Sequence, residues 1–260
     1  MARCVWSAVF LAATGPVMAA DLVDTVAVPE AVEYRDIVID LGLGAAVGPE
    51  FPSAKDYIVT PWPIARLRFL RLPVFGEVVT GQEQRFTLYP SFDFIGERDE
   101  DDADYLDGVG DTDFAVELGA GAAVRFGFMR AFAEVRYGVT GHDGFVGEAG
   151  LDFVYDAHDR FEFRVGPRVS AATDDYMDIY FSVPERATQL DEFDADGGFK
   201  DVGIEAQAIY ALTERWRLHG QAEYTHFVGD ALDSPIVEEG NDDEFTVRLG
   251  LTYRFGLDLY

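Results

Sequence analysis

Residues 245–255 read F-T-V-R-L-G-L-T-Y-R-F. Phe245, Val247, Leu249, Leu251, Tyr253 and Phe255 take every second place, and Thr246, Arg248, Gly250, Thr252 and Arg254 fall between them. Successive side chains of a strand point to opposite faces, so one face here is wholly apolar with aromatics at both ends. The other face is small or cationic. A sandwich strand also alternates, but its apolar face meets a core and has little use for aromatic ends. An apolar band bounded by aromatics fits a strand with lipid outside and a polar lumen inside.

The same alternation recurs toward the N-terminus, over residues 37–47, 114–126, 131–139, 145–155, 161–169, 202–212 and 216–224. Two further candidates lie at about Trp62–Val74 and Arg85–Ile95, where Pro61, Pro63, Pro73 and Pro90 weaken the pattern because proline cannot donate to a ladder. That makes ten strands, an even number. The links after odd-numbered strands (about 49–61, 96–112, 141–144, 173–200 and 228–243) are long and acidic, except 141–144. The links after even-numbered strands are mostly short. Short periplasmic turns and long external loops are the pattern of an antiparallel transmembrane β-barrel that starts and ends in the periplasm. A hairpin around Tyr176–Val183 would raise the number to twelve.

Composition agrees. The chain has 260 residues, 48 Asp+Glu against 20 Lys+Arg, a net charge of −28, and 21 Phe and 12 Tyr. Disordered acidic chains are poor in aromatics, so this content argues against disorder. No basic stripe is available for phosphates, which argues against nucleic acid as a partner. The mature chain lacks the run of about 20 apolar residues that a membrane helix needs. Glycine, at 26 residues, exceeds the usual share of about 7%.

Residues 1–20, MARCVWSAVFLAATGPVMAA, carry Arg3, an apolar stretch from Val5 to Ala13, a break at Gly15-Pro16 and small residues at Ala19 and Ala20. This is the order of a secretory signal. Cys4, the one cysteine, leaves with it, so no disulfide framework is expected. The expected organisation is a signal peptide over 1–20, a flexible periplasmic lead-in over 21–33 and the barrel over 34–260.

Several segments, in order along the mature chain, resemble the MltA-interacting protein (MipA/OmpV) family of outer-membrane proteins. They are YLDGVGDTDFAVELG from Tyr105, GHDGFVGEAG from Gly141, YFSVPERA from Tyr180, FDADGGFKDVG from Phe193, YALTERWRL from Tyr210, GDALDSPIV from Gly229 and the LTYRF end at Phe255. The family's usual YFGV stands here as YFSV, and its GHGG as GHDG. The resemblance implies a barrel in the cell outer membrane of a Gram-negative bacterium, in contact with outer-membrane lipid. For some members it implies a scaffold between a murein lytic transglycosylase and a penicillin-binding synthase. For others it implies adhesion, osmotic response or antibiotic uptake. It brings no catalytic motif. The terminal strand also resembles an outer-membrane assembly signal, although the tail Gly256 to Tyr260 extends past the usual final aromatic.

The residues themselves name no catalytic, cofactor-binding or metal site. The loop Glu97–Asp113 holds nine acids beside Arg98, but D-E-D-D-A-D lacks the D-x-D-x-D-G pattern and closing Glu of a calcium loop, so a solvated anionic loop is expected. His142, His158, His219 and His226 show no metal spacing. His142–Asp143 could suggest a dyad, but no base with an orienting partner is evident, and a Gly-flanked turn is the expected role. Ser234 with His226 has the same status, Ser234-Pro235 reading as a loop turn. Fourteen charges fall on the non-lipid face: Glu117, Arg125, Glu134, Arg136, Glu148, Asp152, Glu162, Arg164, Arg168, Glu205, Arg217, Glu223, Arg248 and Arg254. Eight-stranded barrels are filled by side chains and sixteen-stranded porins are open, so ten strands point to a mostly plugged, salt-bridged lumen. A narrow cation-preferring channel is the alternative function, and a soluble β-sandwich the alternative fold.

Overall fold

The computed structural model describes residues 36–72, 76–79, 86–157 and 160–258. The expected signal segment and lead-in lie outside the described residues, as do Pro73, Val74 and Arg85 at the margins of two expected strands. Eleven antiparallel strands follow in chain order: β1 (Ile37–Pro49), β2 (Tyr57–Leu72), β3 (Gly76–Val79), β4 (Phe86–Ile95), β5 (Ala115–Phe126), β6 (Met129–Thr140), β7 (Phe145–Ala157), β8 (Phe161–Ala172), β9 (Gly198–Ala211), β10 (Trp216–Phe227) and β11 (Asp243–Leu257). They form one sheet in the order β3-β2-β1-β11-β10-β9-β8-β7-β6-β5-β4. The four-residue β3 lies against the end of β2, and β4 also approaches β2, so these two segments together take the place of the tenth stave. The result is an all-β, ten-staved, nearly closed antiparallel barrel.

The first and last strands are partners: Ile37 pairs with Leu257 and Val47 with Val247. Ladders run unbroken from β2 through β1 and β11 round to β4. Between β2 and β4, among the described residues, no ladder forms. The physical reason is in the sequence. β2 carries Pro61 and Pro63 and β4 carries Pro90, and proline is confined to edge strands because it offers no N–H. The prolines that blur two strands in the sequence therefore mark the seam of the wall.

The alternation sorts the faces as expected. Leu43 and Leu249 are 64% and 60% exposed, whereas Asp40 and Thr252, on the opposite face of the same two strands, are 0% and 1%. The exposed set forms an apolar belt with aromatics such as Phe145, Tyr155, Trp216 and Phe255, which is the surface that hydrocarbon requires. Apart from 141–144, the short links between described strands lie at one end of the barrel. One is the two-residue turn Gly127-Phe128, where Gly127 adopts φ +63° to match the hairpin twist. By the short-turn rule this end is periplasmic.

The twelve-strand alternative is overturned. Residues 174–181 form a helix, α1 (Asp174–Phe181), and not half of a hairpin. Tyr176, Met177, Tyr180 and Phe181 recur at helical spacing and all four are buried, whereas a strand would have set the two tyrosines beside Asp178. Asp174 and Asp175 in the first turn suit the positive end of the helix. Two shorter helices, α2 (Asp230–Asp233) and α3 (Pro235–Glu239), and one 3₁₀ turn at Asp104–Leu106 complete the long links.

Candidate functional site: the capped lumen

The long links fold over the extracellular mouth as a cap with its own core. One apolar cluster joins Tyr176, Met177, Tyr180 and Phe181 of α1 to Val146, Ala195, Phe227, Ala231 and Val237. A second joins Phe51, Ala54, Leu106, Val109, Val183 and Ile236. The acidic loop is thus only partly solvated. Its acids point outward, but Leu106 and Val109 are buried and Arg98 is 2% exposed. Arg98 donates to the carbonyls of Ile179 (3.1 Å) and Tyr180 (3.2 Å) and lies 5.9 Å from the Phe51 ring centroid. Burial pulls its guanidinium below the usual arginine range, against the opposing pull of Tyr180, Tyr105 and Asp111. Burial likewise lifts the Tyr176 and Tyr180 phenols, so both rings stay neutral. Two acids of the other long links tie loop to loop: Asp174 Oδ1 accepts from Gly197 N (2.6 Å) and Asp230 Oδ2 from Asp196 N (2.9 Å).

His142 and Ser234 do more than shape the turns expected of them, where His142 Nδ1 accepts from Gly144 N at 3.2 Å. His142 is 5% exposed, its Nε2 stands 3.1 Å from Glu117 Oε1, and its ring meets Tyr176 and Tyr180 edge-on at 4.9 and 5.6 Å. It is a strut between cap and wall. Asp143 is exposed and makes no dyad with it. Ser234 is fully buried. Its Oγ donates to the Phe181 carbonyl at 2.6 Å and accepts from Ile236 N at 3.3 Å as the N-cap of α3. Replacing Ser234 by Ala should therefore cost the cap about 1–2 kcal/mol. Hydrogen exchange of the α3 amides, faster in the variant while strand amides are unchanged, would check this. His226 is not paired with Ser234; its Nδ1 lies 2.8 Å from Asp243 Oδ1, at the exposed rim beside Asp242.

Beneath the cap lies a cavity of about 400 Å³. The charges expected on the lumen face are there and are paired. Arg136 reaches Glu117 (2.8 Å), Glu134, Asp93 (3.5 Å) and Glu148 (3.9 Å). Arg168 reaches Asp152 (2.7 Å) and Glu205 (3.0 Å); Arg164 pairs with Glu162 at 2.6 Å and Arg248 with Glu223 at 2.7 Å. Arg125 pairs with Asp156 and Glu162.

Sequence reasoning misses Asp40 as a hub. It accepts from Arg68 (2.8 Å), Arg254 (2.8 Å) and Arg217 (3.3 Å) and is fully buried. Its place in the period-two pattern of β1 is the available signal. Asp93, Arg66 and Arg68 escape because prolines hide the faces of β2 and β4, and Arg130 because it falls in what reads as a link.

The charges divide by height. Near the periplasmic end Arg66, Arg68, Arg125, Arg130, Arg164, Arg217 and Arg254 lie with Asp36, Asp40, Asp152, Asp156 and Glu162, seven cations to five anions among the described residues. Nearer the mouth Asp93, Glu117, Glu134, Glu148, Asp201, Glu205, Glu223 and Glu244 face Arg136, Arg168, Lys200 and Arg248, eight anions to four cations among the described residues. An ion drawn into one tier meets repulsion in the other.

The family model described as MltA-interacting protein MipA matches residues 41–255. No curated protein matches the chain closely enough to count as a relative. Among solved structures, the chain is similar to an outer-membrane channel from Pseudomonas putida F1, at 12% identity and TM-score 0.43, covering 91% of this chain and 100% of that one. It is similar to the outer membrane protein OprG from Pseudomonas aeruginosa, at 11% identity and TM-score 0.32, covering 85% and 97%. It is also similar to the outer membrane protease OmpT from Escherichia coli, at 11% identity and TM-score 0.36, covering 85% and 98%. At such identities no residue role passes from those proteins to this one. Barrel, apolar belt and family place the protein in the outer membrane.

Proposed function

Because the chain belongs to the MltA-interacting protein MipA family, we propose that this outer-membrane barrel is a non-enzymatic scaffold for cell-wall enzymes. It would hold a murein lytic transglycosylase, and with it a penicillin-binding synthase, at its periplasmic turns and the lead-in Asp21–Glu33. The observation that carries this reading is the family match over residues 41–255, with the partner that the family's description names. The lumen supports it. Its charges are cross-paired, its mouth is capped, and its buried histidines are used structurally: His219 Nε2 lies 2.9 Å from Thr252 Oγ1, and His142 is held by Glu117. Neither stands beside a nucleophile with an orienting partner, as a hydrolytic site would need.

The test is capture of periplasmic partners by the full-length barrel after cross-linking. Retention of a lytic transglycosylase and a synthase is expected. Retention of neither would overturn the scaffold.

The acidic tier beneath the mouth favours cations, which keeps a narrow cation channel as the competing reading. The arginine tier below opposes it. In planar bilayers the protein is expected to give no steady current. A cation-selective conductance would favour the channel.

A further inference from the structure

We propose that the cavity beneath the cap is a binding site for a linear aliphatic diamine, with one ammonium group held by Glu148 and Ser170 and the other by Glu205 and Glu223. This stands whether or not the barrel holds cell-wall enzymes.

The ladders set like charges side by side. Glu134 on β6 stands directly opposite Glu148 on β7, and Glu205 on β9 directly opposite Glu223 on β10. All four border the cavity. Like charges in opposed positions of a sheet repel each other and cost stability. The arginines that answer them are mostly shared. Arg136 reaches Glu134 and, at 3.9 Å, Glu148, but it also serves Glu117 and Asp93. Arg168 reaches Glu205 at 3.0 Å and Glu148 at 3.8 Å, but it also serves Asp152.

Glu148 is the least satisfied of the four. Glu134, Glu205 and Glu223 accept hydrogen bonds from Ser91, Arg168 and Arg248, whereas Glu148 has two long ion contacts and accepts no hydrogen bond among the described residues. Beside it in the ladder stands Ser170 of β8, with Asp201 of β9 on the far side. Ser170 borders the cavity and is only 5% exposed, yet its hydroxyl has no hydrogen-bond partner among the described residues. A buried hydroxyl left unpaired is costly. An ammonium group placed here answers both needs, because it donates to the carboxylate and to the hydroxyl oxygen at once.

The space selects an organic cation. A volume of about 400 Å³ is at the small end of ligand cavities, which run about 300–1,000 Å³. It is far more than a bare calcium ion fills, since that ion needs oxygens closed in to about 2.3–2.6 Å. A lining that is mainly polar and charged suits a short chain with a charge at each end. Tyr89, Phe132 and Tyr176 also border the cavity, and their rings can cover methylenes or face an ammonium. Arg168 touches both glutamate pairs, so the two lie within the span of one short chain. A dication entering this tier moves it toward balance, and the arginines beneath oppose its onward passage. It is bound and not conducted.

The test is titration calorimetry of the full-length barrel in neutral detergent with 1,4-diaminobutane. Saturable binding of one diamine per barrel is expected. Butylamine, with one ammonium, should bind about tenfold more weakly, the loss of one charge-assisted contact, and the uncharged 1,4-butanediol should not bind. These comparisons need no variant to fold. In barrels that keep their heat-modifiable mobility, Glu148→Gln should raise the dissociation constant about tenfold and Ser170→Ala about threefold. Asp101→Asn removes one charge from the exposed acidic loop and should leave the constant unchanged. Absence of saturable binding overturns the site, and so does binding of the butanediol as tight as that of the diamine. Equal weakening by Glu148→Gln and Asp101→Asn overturns it too, because the diamine would then be held by the general field of an acidic chain. An unchanged constant in both folded lumen variants has the same force. Calcium chloride that binds one-to-one, more tightly than the diamine and only with Glu148 intact, would replace the diamine by a metal ion and overturn the proposal as stated.

Discussion

Replacing Asp40 by Asn is expected to destabilise the barrel by about 3–5 kcal/mol, the usual cost of leaving buried ions without their counter-charge. The side chain keeps its size, so packing is conserved and the loss is one of charge. Three arginines, Arg68, Arg217 and Arg254, converge on that carboxylate, and none of it is exposed. Most of the loss comes from mutual repulsion among cations deprived of their shared anion. The check is the guanidinium midpoint of the purified barrel in detergent, together with its heat-modifiable mobility on a gel. Adding Arg254→Met to Asp40→Asn removes one of the three cations and should recover part of the loss. A change under about 1 kcal/mol for the single variant, the scale of a solvated surface pair, would mean that water already screens this cluster.

Phe181→Ala is expected to open the cap and leave the barrel intact. Phe181 is fully buried, packs edge-on to Phe227 at 5.4 Å, and its carbonyl receives Ser234 Oγ. Truncating a buried Phe costs about 3–5 kcal/mol. Here that cost falls on a unit joined to the wall by loops, so it shows as local opening. At tenfold per about 1.4 kcal/mol, cleavage by a broad protease within residues 173–197 should accelerate by roughly two to four orders of magnitude. The guanidinium midpoint of the strands should stay within about 0.5 kcal/mol of the unsubstituted protein, as for a change outside the unit that unfolds. The opened protein should still pass no steady current, because the arginine tier lies below the cap. A current that arises only in this variant would show that the cap was the sole barrier.

The wall of this molecule is legible residue by residue because lipid imposes a strict period of two. β11 is expected over 245–255 and found over 243–257, and β5 is expected over 114–126 and found over 115–126. What escapes the sequence follows a different rule. Around Tyr176 the rings recur at helical spacing, and an eye set for alternation sees a hairpin instead of α1. β2 begins at Tyr57, five residues before its expected start, because Pro61 hides the continuation. The same prolines hide the inward faces that carry Arg66, Arg68 and Asp93. The internal packing of the cap is not legible at all. His142, Ser234 and Arg98 sit in segments that read as turns and acidic loops, and their burial depends on contacts with partners up to 82 residues away in sequence. In the lumen, near-equality of charge is readable from the inward residues, but its separation into two tiers needs the register.

The pairing of β1 with β11 sets an order of events. Ile37 meets Leu257 and Val47 meets Val247, so the first strand has no partner on that side until the last has been delivered. Loop closure across nearly the whole chain must come late. The periplasmic rim where β1 begins and β11 ends is therefore the last part of the molecule to exist. An enzyme recruited to that rim would be recruited by finished barrels only, and an unfinished chain in transit would offer it no landing place. Under the proposed scaffold role, assembly and recruitment would be coupled by topology alone, a checkpoint with no dedicated machinery.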